Sequence, residues 1–181
     1  MSEAPKPVLD ACCGGKMMWF DKVDNRAVFA DCRHGDLDVS HCTKNPGKKS
    51  VHPDVLHDFR KMDFPSKSFW HVVFDPPHVR GISMRSVTGF SYGSLDRETW
   101  KDDLRLGFAE CFRVLKNNGT LIFKWNEVDI PLKEVLLLTD EKPLYGHRSG
   151  KTMKTHWVCF MKHGPQNEWD QKKDSDALTD G

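Results

Sequence analysis

The chain has 181 residues, 38% of them apolar and 29% charged, with a formal charge of +1. That length supports one domain with a real core and is too short for two large ones. No window approaches the ~20 consecutive apolar residues of a membrane span, which excludes a bilayer-crossing protein.

The N-terminus, "MSEAPKPVLDACC", lacks the basic start and apolar stretch of a secretory signal. A cytosolic protein whose six cysteines stay thiols is therefore expected. Charge is uneven: from His163 to Gly181 five acids face two lysines, giving −3 in this tail and +4 in residues 1–162. Apart from Trp169, Ala177 and Leu178 the tail is hardly apolar, so residues 163–181 are expected to be disordered and residues 1–162 to form a single domain.

In chain order, "PVLDACC" is a short apolar run ending in Asp10, followed by Gly14 and Gly15 and then "KMMWF", which predicts a strand, a tight turn and the start of a helix. "RAVFAD" (26–31) is a second run ending in an acid, "VLHDF" (55–59) a weaker third, and "FWHVVFD" (69–75) a strong fourth. Parallel strands presenting Asp10, Asp31, Asp58 and Asp75 along one edge follow from this series. From Arg97 to Lys116 the apolar residues Trp100, Leu104, Phe108, Cys111, Phe112 and Leu115 recur at helical spacing, with Asp96 as N-cap and "NNG" as the stop. "TLIFKW" (120–125) reads as a strand, "PLKEVLLL" (131–138) as a helix opened by Pro131, "EKPLYGHRSGK" as a turn, and "HWVCFMK" (156–162) as the last strand. The fold class predicted is α/β, a doubly wound and mostly parallel sheet.

Two basic loops, "KNPGKK" (44–49) and "YGHRSGKTMKTH" (145–156), read equally well as solvated surface and as phosphate contacts. Cys32, His34, His41 and Cys42 fall within eleven residues. Their Cys-x-His and adjacent His-Cys spacings suit a single tetrahedral ion poorly, so no metal is expected.

The motifs "VLDACCGG", an acid at position 31, Asp58 and "VVFDPPH", in that order, resemble the class I S-adenosylmethionine (SAM) dependent methyltransferases. More narrowly they resemble the branch that methylates exocyclic amino groups of nucleic-acid bases, and "LDACCG", "FDPPH" and "GTLIFKWNE" are similar to small phage and prophage methyltransferases. The resemblance spans most of residues 7–162 and implies a Rossmann-like fold with SAM as cofactor. It implies that Asp10, Ala11, Cys12, Cys13 and Gly14 border the cofactor, that Asp31 takes its ribose hydroxyls, and that Asp58 and Phe59 hold its adenine, with Asp63 as a rival to Asp58. The family's further glycine is Lys16 here, and the G-x-G-x-x-G dinucleotide fingerprint is absent.

The same resemblance makes Asp75, Pro76, Pro77 and His78 the catalytic set. An exocyclic amine is a poor nucleophile because its lone pair is delocalised into the base. Asp75 and the Pro76 carbonyl, accepting one N–H each, draw it toward tetrahedral geometry, the two proline rings hold that carbonyl outward, and His78 stacks on the base. Arg80, Lys124, Trp125 and Asn126 are expected on the substrate side, Trp125 also having a plain core reading. The Gly- and Ser-rich stretch "VRGISMRSVTGFSYGS", carrying Arg80, Arg85, Phe90 and Tyr92, reads as a lid or as a mobile surface loop.

The function expected is methyl transfer from SAM to a nucleobase amine, adenine N6 foremost, with DNA and RNA both standing as partner. A chain this short has no room for a separate sequence-reading domain. Two alternatives accompany it: a class I methyltransferase acting on a small molecule or protein amide, and a non-catalytic phage protein that binds SAM or nucleic acid. Nothing in the sequence sets an oligomeric state.

Overall fold

The computed structural model describes residues 5–40 and 46–164. Nearly all of the acidic tail, together with His41 and Cys42, lies outside these residues.

Four of the predicted runs form strands where their apolar residues can be covered. β1 (Val8–Asp10), β2 (Ala27–Asp31), β6 (Phe69–Phe74) and β7 (Leu115–Asn126) pair in parallel, β1 lying between β2 and β6. The run at 55–59 yields only β5 (Val55–Leu56), both of whose side chains are exposed. β8 (Tyr145–Ser149) and β9 (Thr155–Met161) complete a seven-stranded sheet of order β5-β2-β1-β6-β7-β9-β8, with β9 antiparallel to both neighbours. β8 occupies the stretch predicted as a turn; its residues are almost all exposed, so it carries no apolar pattern to read.

α2 (Trp100–Val114) lays Leu104, Phe108, Cys111 and Phe112 against the sheet. Its Phe108 meets Phe74 and Phe123 edge-on or tilted, at centroid separations of 5.5 and 4.9 Å. Gly107 is what permits the approach, since a Cβ there would sit 2.7 Å from the rings of Phe59 and Phe74. Both predicted ends of this helix shift. The Asp96 carboxylate accepts the N–H groups of Glu98 and Thr99 at 2.7 and 3.1 Å, capping the turn before the helix rather than the helix itself. The chain passes from Val114 straight into β7, and "NNG" becomes an irregularity inside that strand, with Asn118 at φ 62°. α3 (Leu132–Leu136) follows Pro131 as predicted but is short.

The helix expected after β1 does not form; residues 11–26 are a succession of turns. Lys16 is left-handed, at φ 54°, which a right-handed helix cannot accommodate. Trp19 turns inward instead, packing edge-on against Phe29 at 4.7 Å with its indole N–H on Asp10 at 2.7 Å. After β2 the chain adds a separate antiparallel hairpin, β3 (Gly35–Asp38) and β4 (Lys48–Val51), absent from the predicted elements. α1 (Val87–Tyr92), opened by the Ser86 side chain, lies inside the glycine-rich loop. No helix among the described residues is long and apolar enough to cross a membrane.

Candidate active site

The C-terminal ends of β1, β2, β6 and β7 share one edge, and the strand order reverses between β1 and β6. Open α/β sheets bind ligands at that point. Two cavities lie there, of about 250 and 300 Å³, with Cys12 and Arg33 lining both. "DPPH" divides between them: Pro77 borders the smaller, and Asp75, Pro76 and His78 border the larger.

The smaller cavity is bordered by Ala11, Asp31, His57, Asp58 and Phe59. Asp31 is fully engaged: it accepts the N–H of Gly14 at 2.9 Å and the Nε and Nη2 of Arg33 at 2.8 and 2.7 Å. Asp58 is held by Arg60, which also reaches Asp103 at 2.9 Å. Asp63, the rival acid, is exposed and is not among the residues bordering this cavity. His57 is buried, with Nε2 3.4 Å from the Ala11 carbonyl. A carbonyl only accepts, so Nε2 carries the proton and Nδ1 is an acceptor, one without a partner. Burial lowers the His57 pKa and keeps the ring neutral.

In the larger cavity Asp75 and Lys124 form an ion pair at 2.5 Å. Burial raises the Asp75 carboxyl above its ordinary value, and the Lys124 charge opposes that rise. His78 is pushed down by burial against the pull of Asp75, so it is a neutral imidazole, with ring centroids 6.2 Å from Tyr92 and 6.4 Å from Trp125. Asn126 points its amide nitrogen at Thr155 Oγ1, 3.4 Å away, and its buried oxygen is without a partner. Cys13 and Gly14 border the same space. Burial pushes Cys13 up to about 12 and Cys12 well above its ordinary value, so neither is a thiolate nucleophile at neutral pH.

Three residues named from the sequence stand elsewhere. Asp10 is wholly buried and borders neither cavity; its carboxylate receives the Trp19 indole and the Cys12 N–H, anchoring the loop that replaces the expected helix. Trp125 is a core residue at 0% exposure, stacked on Phe123 with its indole N–H on the Ile130 carbonyl. Arg80 pairs through its Nε and Nη2 with Asp129 and lies 5.6 Å over Trp100, tying down one end of the loop. That loop is closed at its base by Gly81 N–H to Leu95 O and Leu95 N–H to Val79 O, and Gly93 at φ 77° lets it press on Pro77, whose Cγ a Cβ would meet at 2.6 Å. Tyr92 of the loop lines the larger cavity.

Arg33, absent from the sequence-derived set, is the residue that joins the two spaces, reaching the Phe90 carbonyl with Nη1 at 2.9 Å. A signal for it existed. Asp24-x-Arg26, Asp31-x-Arg33 and Asp58-x-Arg60 each fold the arginine N–H back on the acid at 2.9 Å. The first is an exposed surface turn, so the pattern alone does not mark a site. Among the described residues no group of three or more His, Cys, Asp or Glu is placed to hold a metal ion.

The sheet order with one antiparallel strand next to the edge, and ligand-sized cavities at the switch point, define a Rossmann-like class I methyltransferase fold. The chain is similar in structure to the PH0226 protein of Pyrococcus horikoshii OT3, with TM-score 0.54 and 18% identity over 86% of this chain and 81% of that one. It is similar to a TehB-like SAM-dependent methyltransferase from Corynebacterium glutamicum, with TM-score 0.52 and 13% identity over 89% and 82%. A third neighbour is the 1,6-didemethyltoxoflavin-N1-methyltransferase of Burkholderia thailandensis, solved with 1,6-didemethyltoxoflavin and S-adenosylhomocysteine, with TM-score 0.51 and 13% identity over 88% and 72%. At these identities the likeness is one of fold. No protein-family model and no curated protein matches the chain.

Proposed function

We propose that this protein is a SAM-dependent methyltransferase acting on an exocyclic amino group of a nucleobase, adenine N6 foremost, in DNA or RNA. One observation carries the reading. The end of β6 brings Asp75, Pro76 and His78 together with Lys124 and Asn126 of β7 around one cavity, which adjoins a second bordered by Asp31, His57 and Asp58.

The smaller cavity fits the adenosine part of SAM. It offers an apolar wall in Phe59 and Pro77, the carboxylates of Asp31, Asp58, Asp96 and Asp103, and the unpartnered acceptor on buried His57. A hydroxyl seeking Asp31 competes with Arg33, so this chain couples cofactor entry to movement of that guanidinium. Bound SAM supplies a methyl group activated by a sulfonium. The protein's own residues do the rest. Lys124 holds one oxygen of Asp75 and favours its ionised form, leaving the other oxygen to accept an amine N–H, while the Pro76 carbonyl accepts the second. His78, neutral because buried, stacks without placing a cation beside the sulfonium. The proton released on methylation passes to Asp75.

Incubation with methyl-labelled SAM, separation of DNA, RNA and protein, and digestion to nucleosides tests this; label on the amino nitrogen of a nucleoside is expected, and label in neither nucleic acid overturns it. Under this mechanism Asp75→Asn retains more activity than Asp75→Ala, since the amide oxygen still accepts a hydrogen bond. A small-molecule methyltransferase is the second reading, favoured by the neighbour named for 1,6-didemethyltoxoflavin. Label appearing only on a free heterocycle supports that reading.

A further inference from the structure

A third cavity, of about 470 Å³, lies beside the two already described and is lined by Lys16, Lys22, Lys48, Lys49, Ser50 and His52. No acid lines it. It shares Gly14, Gly15, Met17 and Ser91 with the cavity holding Asp75, so the two are contiguous. The lysines come from separate parts of the chain: Lys16 and Lys22 from the loop that replaces the first helix, Lys48 and Lys49 from β4 of the added hairpin. Lys16 is pinned, 4.0 Å over the Phe29 ring and 3.7 Å from Asp54, and Lys48 pairs with Asp36 at 2.9 Å. Among the described residues Lys22 and Lys49 have no acidic partner within ion-pair distance, so their charges face the cavity uncompensated. On the same loop Phe20 is fully exposed, and Met17, which lines the cavity, is 67% exposed.

We infer that this lysine-lined cavity, between loop 11–26 and the β3–β4 hairpin, is the track for the phosphodiester backbone of a single-stranded nucleic acid whose bases enter the adjoining cavity at Asp75. The inference rests on the nucleobase reading above and gives it a polymer. Lysines act as point charges on phosphates, and an exposed aromatic such as Phe20, on the same loop as Lys16 and Lys22, offers a stacking platform for any base, the pairing by which single strands are held without sequence preference. A single strand also presents its bases without the unstacking cost of a few kcal/mol that a duplex imposes.

The test is fluorescence anisotropy of labelled single-stranded DNA and RNA oligonucleotides across a salt series, with label transfer from SAM measured in parallel. The double variant Lys22→Ala/Lys49→Ala is expected to bind more weakly and to flatten the log–log salt slope by about 1.4, at ~0.7 for each phosphate of a single strand that is no longer neutralised. Lys22→Arg/Lys49→Arg keeps the charge and is expected to bind as wild type does. Lys116→Ala, at the opposite end of β7 over Trp70, is the control for net charge and is expected to change nothing. A double alanine variant that folds and binds with unchanged affinity and slope overturns the inference, while label on the oligonucleotide then still upholds the nucleobase reading. Lysine-dependent binding with no label transferred does the reverse, supporting the track and counting against the chemistry. Lysine-dependent binding that is tighter for one oligonucleotide supports the track and identifies its polymer.

Discussion

Asp75 is under two opposed influences: burial raises its pKa, and Lys124, 2.5 Å away, lowers it. Under the proposed mechanism the carboxylate must be ionised to take the proton released on methylation, so the lysine sets the acid limb of activity. Lys124→Met removes the cation, moves the Asp75 pKa further up, and shifts the acid limb of the kcat/KM profile to higher pH. An unchanged limb in that profile means the pair is only structural. Lys16 presents a different compromise. It holds a left-handed backbone, at φ 54°, a conformation that costs a side-chain-bearing residue on the order of 1 kcal/mol. Its ammonium recovers part of that through the Phe29 ring and the Lys22 carbonyl, 3.2 Å away.

At the scale of elements, α2 and the sheet touch through Gly107, and two effects of replacing it have opposite signs. Alanine favours the helix by about 1 kcal/mol over glycine. The added Cβ lies 2.7 Å from two aromatic rings held in the core, an overpacking that costs about 1–3 kcal/mol. The second effect dominates, so Gly107→Ala is expected to destabilise, read as a lower urea midpoint. A raised midpoint means that the Phe59 ring yields, and because Phe59 borders the smaller cavity the same variant then alters SAM affinity. The loop of α1 is likewise a built element, tied at its base by Arg80 and Leu95 and pressed on Pro77 through Gly93.

For the whole molecule, Asp10 links stability to pH. Its pKa rises from 3.8 to about 7, chiefly by burial, with the Trp19 hydrogen bond opposing. Below pH 3.8 folded and unfolded chains both hold this proton and the site contributes no pH dependence. Between 3.8 and about 7 the folded chain holds a proton that the unfolded chain has released, so stability falls as pH rises, and above about 7 the full cost, on the order of 4 kcal/mol, is present. Asp10→Asn keeps an acceptor for Trp19 and removes the titration. Urea unfolding across this window is expected to show the wild type losing stability relative to the variant as pH rises; parallel curves mean that Asp10 titrates as an ordinary carboxyl.

What was legible in the sequence was what local chemistry settles: apolar runs in β1, β2, β6 and β7 that end in or just before an acid or amide, the helical spacing of α2, and the proline-bounded acid at position 75. Those signals suffice for the α/β class and for the strand ends that gather at one edge. Tertiary structure decided the rest. Whether Trp125 faces substrate or core, whether Asp10 meets a cavity or an indole, and whether Arg33 spans two cavities depend on partners 5 to 57 positions away, reached only after the chain has folded. The lysine-lined cavity is the clearest instance: a loop and a hairpin, each polar and ordinary alone, bring their charges together because β1 and β2 fix where both begin.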